Sequence, residues 1–307
     1  MSPLAASLDE YLGLRRSLGY KLERAGELLA DFVASAERAG ADHVTVEGAV
    51  EWALRAEDTG SSWRAQRLGV VRGFARYLHA IDPDHQVPPA GLLPRRRRPA
   101  PFLYAEADIA SLMAAARRLR TPLRAATMET LIGLAAVTGL RVGELLRLDR
   151  TDLHVETDVL TVRNTKLGRS RHVPLHPTTT ESLVAYGLRR DELFPRPIGD
   201  ALFISTAGTR LRSGNLQAAF VEVVDLAGLP TPQGRNGPRL GNMRHSFAVQ
   251  TMLDWHTDQA DVGPLLPVLS TYLGHVSPAS TYWYLSASPP LLAAAARRLH
   301  HATPGSS

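Results

Sequence analysis

Five residues spread along the chain are of types that can act together on one phosphate group: Arg141, Lys166, Arg244, His275 and Tyr284. An arginine is a permanent cation whose planar fork matches two phosphate oxygens. A lysine can give up a proton, which arginine does not. A histidine can donate a hydrogen bond, and a tyrosine oxygen can act as a nucleophile. Taken one at a time, each has an ordinary explanation. Arg141 in "TGLRVGELLRL" reads as a surface arginine with an i,i+3 partner, Glu144. A lysine at a hairpin tip is usually solvated, and aromatic residues such as Tyr282, Trp283 and Tyr284 more often fill a core.

The local contexts place these residues at the ends of elements. Gly139 breaks a helix just before Arg141, and Leu145 and Leu146 are expected to face inward from the short helix that follows. Lys166 in "TKLGRSRHVPL" falls at a turn that Gly168 permits, among Arg163, Arg169 and Arg171, whose positive charge would make it a better proton donor. "NMRHSFAVQTML" opens a helix with Asn242 as its cap and Arg244 in the first turn, where the dipole favours an anion. Phe247, Met252 and Leu253 are expected inward, and His245 is read as a core or capping residue. Gly274 is expected to cap the helix before His275.

Around these positions the second part of the chain reads as mostly helical. "AEADIASLMAAARRL" and the apolar "TPLRAATMETLIGLAAVTGL" are helices, the second with Pro122 in its first turn. Alternation then predicts three short antiparallel strands near 153–156, 159–164 and 171–175, with turns at Thr157–Asp158 and Leu167–Gly168. Helices resume after Pro177, interrupted at 195–214 and 229–238, and the Ala-rich tail ends in a short helix.

Residues 1–90 read as four helices. Leu8, Leu12 and Leu18 form the apolar side of the first, and Leu28, Leu29, Phe32, Val33 and Ala36 that of the second. Thr45 opens the third, and Ser62 is expected to cap the fourth. In that fourth helix Leu68, Val71, Phe74, Ala75 and Leu78 line one face, with Arg64, Arg67, Arg72 and Arg76 largely off it. The stretch "DPDHQVPPAGLLPRRRRPAP" (82–101) holds six prolines and four consecutive arginines, Arg95, Arg96, Arg97 and Arg98, and reads as an extended basic linker.

Composition sets outer bounds. The 307 residues suggest two domains, with 44% hydrophobic and 21% charged residues as in ordinary soluble proteins. The absence of cysteine excludes disulfides, thiol nucleophiles and zinc–thiolate sites and fits a cytoplasmic protein. No apolar run is long enough for a membrane span, and no signal peptide is read. The net charge of +5 points weakly to a polyanion. All but two of the 35 basic residues are arginine, which singles out Lys166.

In this order and context, the five residues resemble the tyrosine recombinase (phage integrase) family. Arg141 in "TGLRVGEL", with Glu144 as acidic companion, is similar to the family's first catalytic arginine. Lys166, Arg244 in "MRHSFA", His275 in "LGH" and Tyr284, nine residues on, are similar to the hairpin lysine, second arginine, third box and nucleophile. The resemblance runs from about Phe102 to Arg298 and departs at Gly241, where the family has histidine.

The resemblance implies a mainly α fold with a small three-stranded antiparallel sheet, arranged as a two-domain DNA clamp. Residues 1–90 would be a helical core-binding, SAM-like domain, 91–103 a basic linker, 104–302 the catalytic domain and 303–307 a tail. It implies strand exchange through a 3′-phosphotyrosyl bond, needing neither metal nor ATP. Arg64, Arg67, Arg72, Arg95 to Arg98, Arg163, Arg169 and Arg171 would contact DNA. Partners would be duplex recombination sites, three further subunits in a tetramer, with Leu291–Leu299 docking on a neighbour, and related recombinase subunits. The alternatives are a DNA-binding subunit that cleaves weakly because of Gly241, or a topoisomerase of type IB.

Overall fold

A computed structural model describes residues 3–55, 60–94, 101–163, 170–230, 237–258, 260–274 and 291. The chain divides into two compact units, Met1–Arg98 and Pro99–Ser307.

The first unit packs four helices, α1 (Pro3–Ser17), α2 (Glu23–Arg38), α3 (Val46–Leu54) and α4 (Ser61–His79). Its core joins Leu4, Leu8 and Leu12 of α1, Leu29, Phe32 and Val33 of α2, and Trp52 of α3 to the expected face of α4. Leu18 is not part of it: α1 stops at Ser17, and Leu18 is 63% exposed. Thr45 caps α3, its hydroxyl accepting from Gly48 N at 3.1 Å. The helix α4 begins two residues earlier than expected, at Ser61, with Gly60 rather than Ser62 as an extended cap that makes no side-chain bond.

The second unit contains α5 (Glu106–Ala116), α6 (Pro122–Thr138), the one-turn α7 (Val142–Leu145), strands β1 (Leu153–His154), β2 (Val159–Val162) and β3 (Arg171–Pro174), then α8 (Pro177–Leu193), α9 (Ser213–Ala227), α10 (Met243–Thr257) and α11 (Val262–Leu273). The expected architecture of helices with one small antiparallel sheet is present, in the order β1-β2-β3. The strands are shorter than the alternation suggested, and Asp158 makes the first turn at φ 52°. Leu160 pairs with Val173 and Val162 with Arg171. Leu160, Val162 and Val173 are buried, so this face of the sheet looks into the core, and Arg171 shares it. Residues of α5, α6, α8, α9 and the sheet form one apolar core, within which Leu112, Leu131, Ile132 and Leu145 are wholly buried.

Two glycines stop the helices that matter for the site. Gly139 ends α6 at φ 60° and Gly274 ends α11 at φ 66°. Both conformations disfavour a Cβ.

Candidate active site

A helix ends with carbonyls that have no intrahelical partner and that carry the negative end of its dipole. At the end of α11, three successive carbonyls each accept from a different arginine. Tyr272 O accepts from Arg171 Nε at 2.9 Å, Leu273 O from Arg244 Nη2 at 2.6 Å, and Gly274 O from Arg141 Nη2 at 2.7 Å. A fourth carbonyl, that of Gly139 at the end of α6, accepts from Arg244 Nη1 at 2.9 Å. Two helix ends thereby gather guanidinium groups from α7, β3 and α10.

Arg141 is the N-cap of α7, in extended backbone. Its own N–H donates to Glu144 Oε2 at 3.0 Å and its Nη1 to Oε1 at 2.8 Å. Glu144 is 2% exposed, and both its oxygens also accept from Arg171, at 3.0 and 2.9 Å. Burial alone would push this carboxyl up. The Arg171 fork, the Arg141 N–H and the Arg141 side chain outweigh it and hold it at about 2. The carboxylate is therefore ionised throughout the neutral range, and it links two cations that would otherwise repel.

Arg244 sits in the first turn of α10, as expected, but it does not project from the helix into solvent. It is buried, 7% exposed, and is aimed at the ends of α6 and α11. Asn242 does not cap α10 with its side chain: its Oδ1 accepts from Arg239 N at 3.0 Å and closes the preceding 3₁₀ turn. The sequence reading overlooked Tyr104, whose buried hydroxyl donates to Arg239 O at 2.9 Å while its N–H donates to Ser246 Oγ at 2.8 Å. These bonds fix the segment that carries Gly241, which is exposed.

Of the expected site residues, the structure brings Arg141, Glu144 and Arg244 together. Lys166, His275 and Tyr284 lie outside the described residues, as do Arg95, Arg96, Arg97, Arg98 and Arg169. Three of the arginines expected to contact DNA also have partners within the protein. Arg171 is the interior clamp just described. Arg67 lies over the Trp52 ring at 3.7 Å and donates to Trp52 O at 3.1 Å. Arg72 donates to Pro88 O and Pro89 O, each at 2.7 Å, and so ties α4 to the chain that follows it. Arg163 pairs with the buried Asp152 at 2.5 Å with half of its side chain exposed, and Arg64 is half-buried on α4.

Among the described residues, His43, Asp82 and His85 are close enough to share a cation, with ligand atoms within 4.8 Å of one another. The hydrogen bonding argues against one. His85 Nδ1 accepts from Val44 N at 3.0 Å, so the proton of the neutral ring sits on Nε2, the nitrogen that faces Asp82 at 4.0 Å. The cluster braces two loops and has no lone pair of His85 to offer. A cavity of about 470 Å³ between α5, α6 and α8 is lined mainly by apolar side chains, among them Met113, Leu134, Val137 and Leu183, and includes none of the arginine cluster.

The profile described as "Phage integrase family" matches residues 103–289. The chain is 43% identical over 306 residues to y4rB of Sinorhizobium fredii, a protein named as an integrase/recombinase, covering 97% of this chain and 98% of that one. It is 30% identical over 250 residues to the tyrosine recombinase XerC of Pelotomaculum thermopropionicum, covering 77% and 74%. Among solved structures, the fold is similar to that of the Tn1549 transposon integrase in complex with transposon right end DNA, with a TM-score of 0.69 at 17% identity, covering 98% and 100%.

Proposed function

The chain belongs to the phage integrase family and is a tyrosine-type site-specific DNA recombinase, and on that premise we propose that it cuts and rejoins duplex DNA through Tyr284. The observation that carries this reading is the pair Arg141 and Arg244, held by adjacent carbonyls at the end of α11, immediately before His275 in the sequence.

The tyrosine oxygen attacks the scissile phosphorus and a 3′-phosphotyrosyl bond forms as the bond to the 5′-oxygen breaks. The transition state gathers charge on the non-bridging oxygens. Arg141 and Arg244 supply fixed positive charge there, their own positions already set by carbonyls and by Glu144, so little reorganisation accompanies the step. Lys166 protonates the departing 5′-oxygen, and His275 hydrogen-bonds the phosphate. The covalent bond conserves the energy of the broken one, so the reaction runs without ATP or metal. The partners are two recombination sites and further copies of the chain, four in the complete assembly, and transposition is the setting favoured by the Tn1549 integrase likeness.

A second reading rests on Gly241. Glycine has no group to donate to a phosphoryl oxygen, which favours a subunit that binds and assembles but cleaves slowly. The test is product topology. The purified protein is given a supercoiled plasmid with two copies of its bound site. Deletion or inversion between the sites supports the recombinase reading, relaxation without joining supports a topoisomerase, and binding with neither supports the slow subunit.

A further inference from the structure

Arg171 is one of a group of arginines around the hairpin lysine, where a phosphate contact is the first expectation. Its geometry is different. The side chain is 15% exposed, it leaves β3 on the core face beside Val173, and each of its three nitrogens has an interior acceptor. Nε donates to Tyr272 O at 2.9 Å, while Nη1 and Nη2 donate to the two oxygens of Glu144 at 3.0 and 2.9 Å. Glu144 in turn receives the backbone N–H and one guanidinium nitrogen of Arg141. One residue thus connects the strand after Lys166, the acid beside the first arginine, and the helix end before His275.

We propose that Arg171 is a positioning residue of the strand-cutting reaction, acting through Glu144 and the end of α11 to present Arg141 to the phosphate, and not a DNA ligand. This rests on the function proposed above. The argument is one of fit and charge. Arg141 makes its bond to Gly274 O and its bonds to Glu144 together while the carboxylate is anchored from its other side, and Arg171 alone among the described charged groups does that. Lysine in its place would keep the charge but could not span both oxygens and Tyr272 O. The space is also closely filled. A Cβ on Gly274 would lie 3.0 Å from Arg171 Nη1 and 3.4 Å from Arg141 Nη1, so a side chain there would shift the guanidinium groups by a few tenths of an ångström, in a backbone conformation that already disfavours one.

Among the described residues, the charged groups facing Glu144 are Arg171 from β3 and Arg141 at the start of α7. Removing Arg171 leaves burial opposed by Arg141 only, and Glu144 then takes up a proton at higher pH than in the parent protein. A direct phosphate ligand would not have this signature.

The experiment uses the full chain with Arg171→Lys and Arg171→Ala. Affinity for the DNA site is measured by gel shift, and the rate of covalent adduct formation is measured on a nicked substrate at saturating DNA across pH 4.5–8. Expected are site affinities within about twofold of the parent, since no phosphate contact is lost. Adduct formation falls about 100-fold in Arg171→Ala, the scale for a displaced reacting group. The low-pH limb of the rate moves upward in Arg171→Ala and less in Arg171→Lys. Affinity that falls in step with the rate, with the limb unmoved, would overturn the proposal in favour of a DNA contact. An unchanged rate would overturn it outright. Should the parent protein form no adduct, the strand-cutting reading itself has failed. The guanidinium resonance of Arg141 in the free protein then decides: broadening or loss in Arg171→Lys supports the anchoring, and an unchanged resonance overturns it.

Discussion

Arg141 and Arg244 donate to adjacent carbonyls, Gly274 O and Leu273 O, at the end of a single helix. Two cations far apart in the sequence are therefore set by one rigid element, and their spacing is decided before any DNA arrives. The orphan carbonyls of a helix end, normally left to water, here hold guanidinium groups side by side. In the proposed reaction the anion is recruited by guanidinium groups that a helix C-terminus has aligned, the converse of the familiar anion site at a helix N-terminus.

Glu144→Gln tests the acid that joins Arg141 to Arg171. The folded value of about 2 lies below the ordinary carboxylate value, so its contribution is fully present above about pH 4.3 and is lost as pH falls toward 2. That depression corresponds to stabilisation on the order of 3 kcal/mol. Denaturant unfolding should show a large loss in the variant at pH 7 that shrinks between pH 4 and 2. A loss that does not change with pH would mean that the ionised carboxylate is not what stabilises the cluster.

Gly139→Ala and Gly241→His should behave in opposite ways. At Gly139 the backbone is left-handed and an added Cβ would lie 2.7 Å from Phe247 Cδ1. The substitution should cost about 1–3 kcal/mol and slow cleavage, because Gly139 O holds Arg244. At Gly241 a Cβ meets Val142 Cγ2 at 3.8 Å, an ordinary contact. Histidine there should leave the melting temperature near that of the parent and raise the rate of adduct formation. No rise would mean that another group already supplies the missing donor.

Arg67→Ala and Arg72→Ala are expected to lower the stability of the first unit and to leave the salt dependence of DNA binding alone. Removing a phosphate contact would reduce the slope of log affinity against log salt by about 1. A slope reduced in Arg72→Ala would show that its bonds to Pro88 O and Pro89 O are exchanged for phosphate in the complex.

The first unit should also lose stability in mild acid. Burial, and then the neighbouring His43, push His85 down from the ordinary value, so the unfolded chain takes up its proton first. The stabilisation is complete above about pH 6.5 and is lost as pH falls below it. Protonation also places a second donor against Val44 N, which the ring now accepts from. Melting followed by the fluorescence of Trp52 between pH 7.5 and 5.5 should show this slope, and His85→Asn should flatten it.

Helix ends and strand starts were legible because they depend on local chemistry: Gly139, Gly274 and Thr45 act as the sequence suggests. The apolar faces of α2 and α4 followed from spacing. The destinations of the arginines did not, since a guanidinium takes whichever carbonyl or carboxylate the tertiary fold brings within reach. Arg67 and Arg72 lie off the apolar face of α4, and their acceptors come from outside it, so helical spacing alone does not reveal them. Arg171 could have been found: the alternation of "RHVPL" puts it on the same face as Val173 and Leu175, and a charge on a core face needs a buried partner. Tyr104 carried no such signal.

The central claim is that Tyr284 is the nucleophile. The direct measurement is covalent trapping on a nicked suicide substrate carrying the bound site. The parent protein and Tyr282→Phe should each form a protein–DNA adduct that survives denaturation, and Tyr284→Phe should form none while still binding the site. An adduct that persists in Tyr284→Phe, or one that disappears in Tyr282→Phe, would contradict the account.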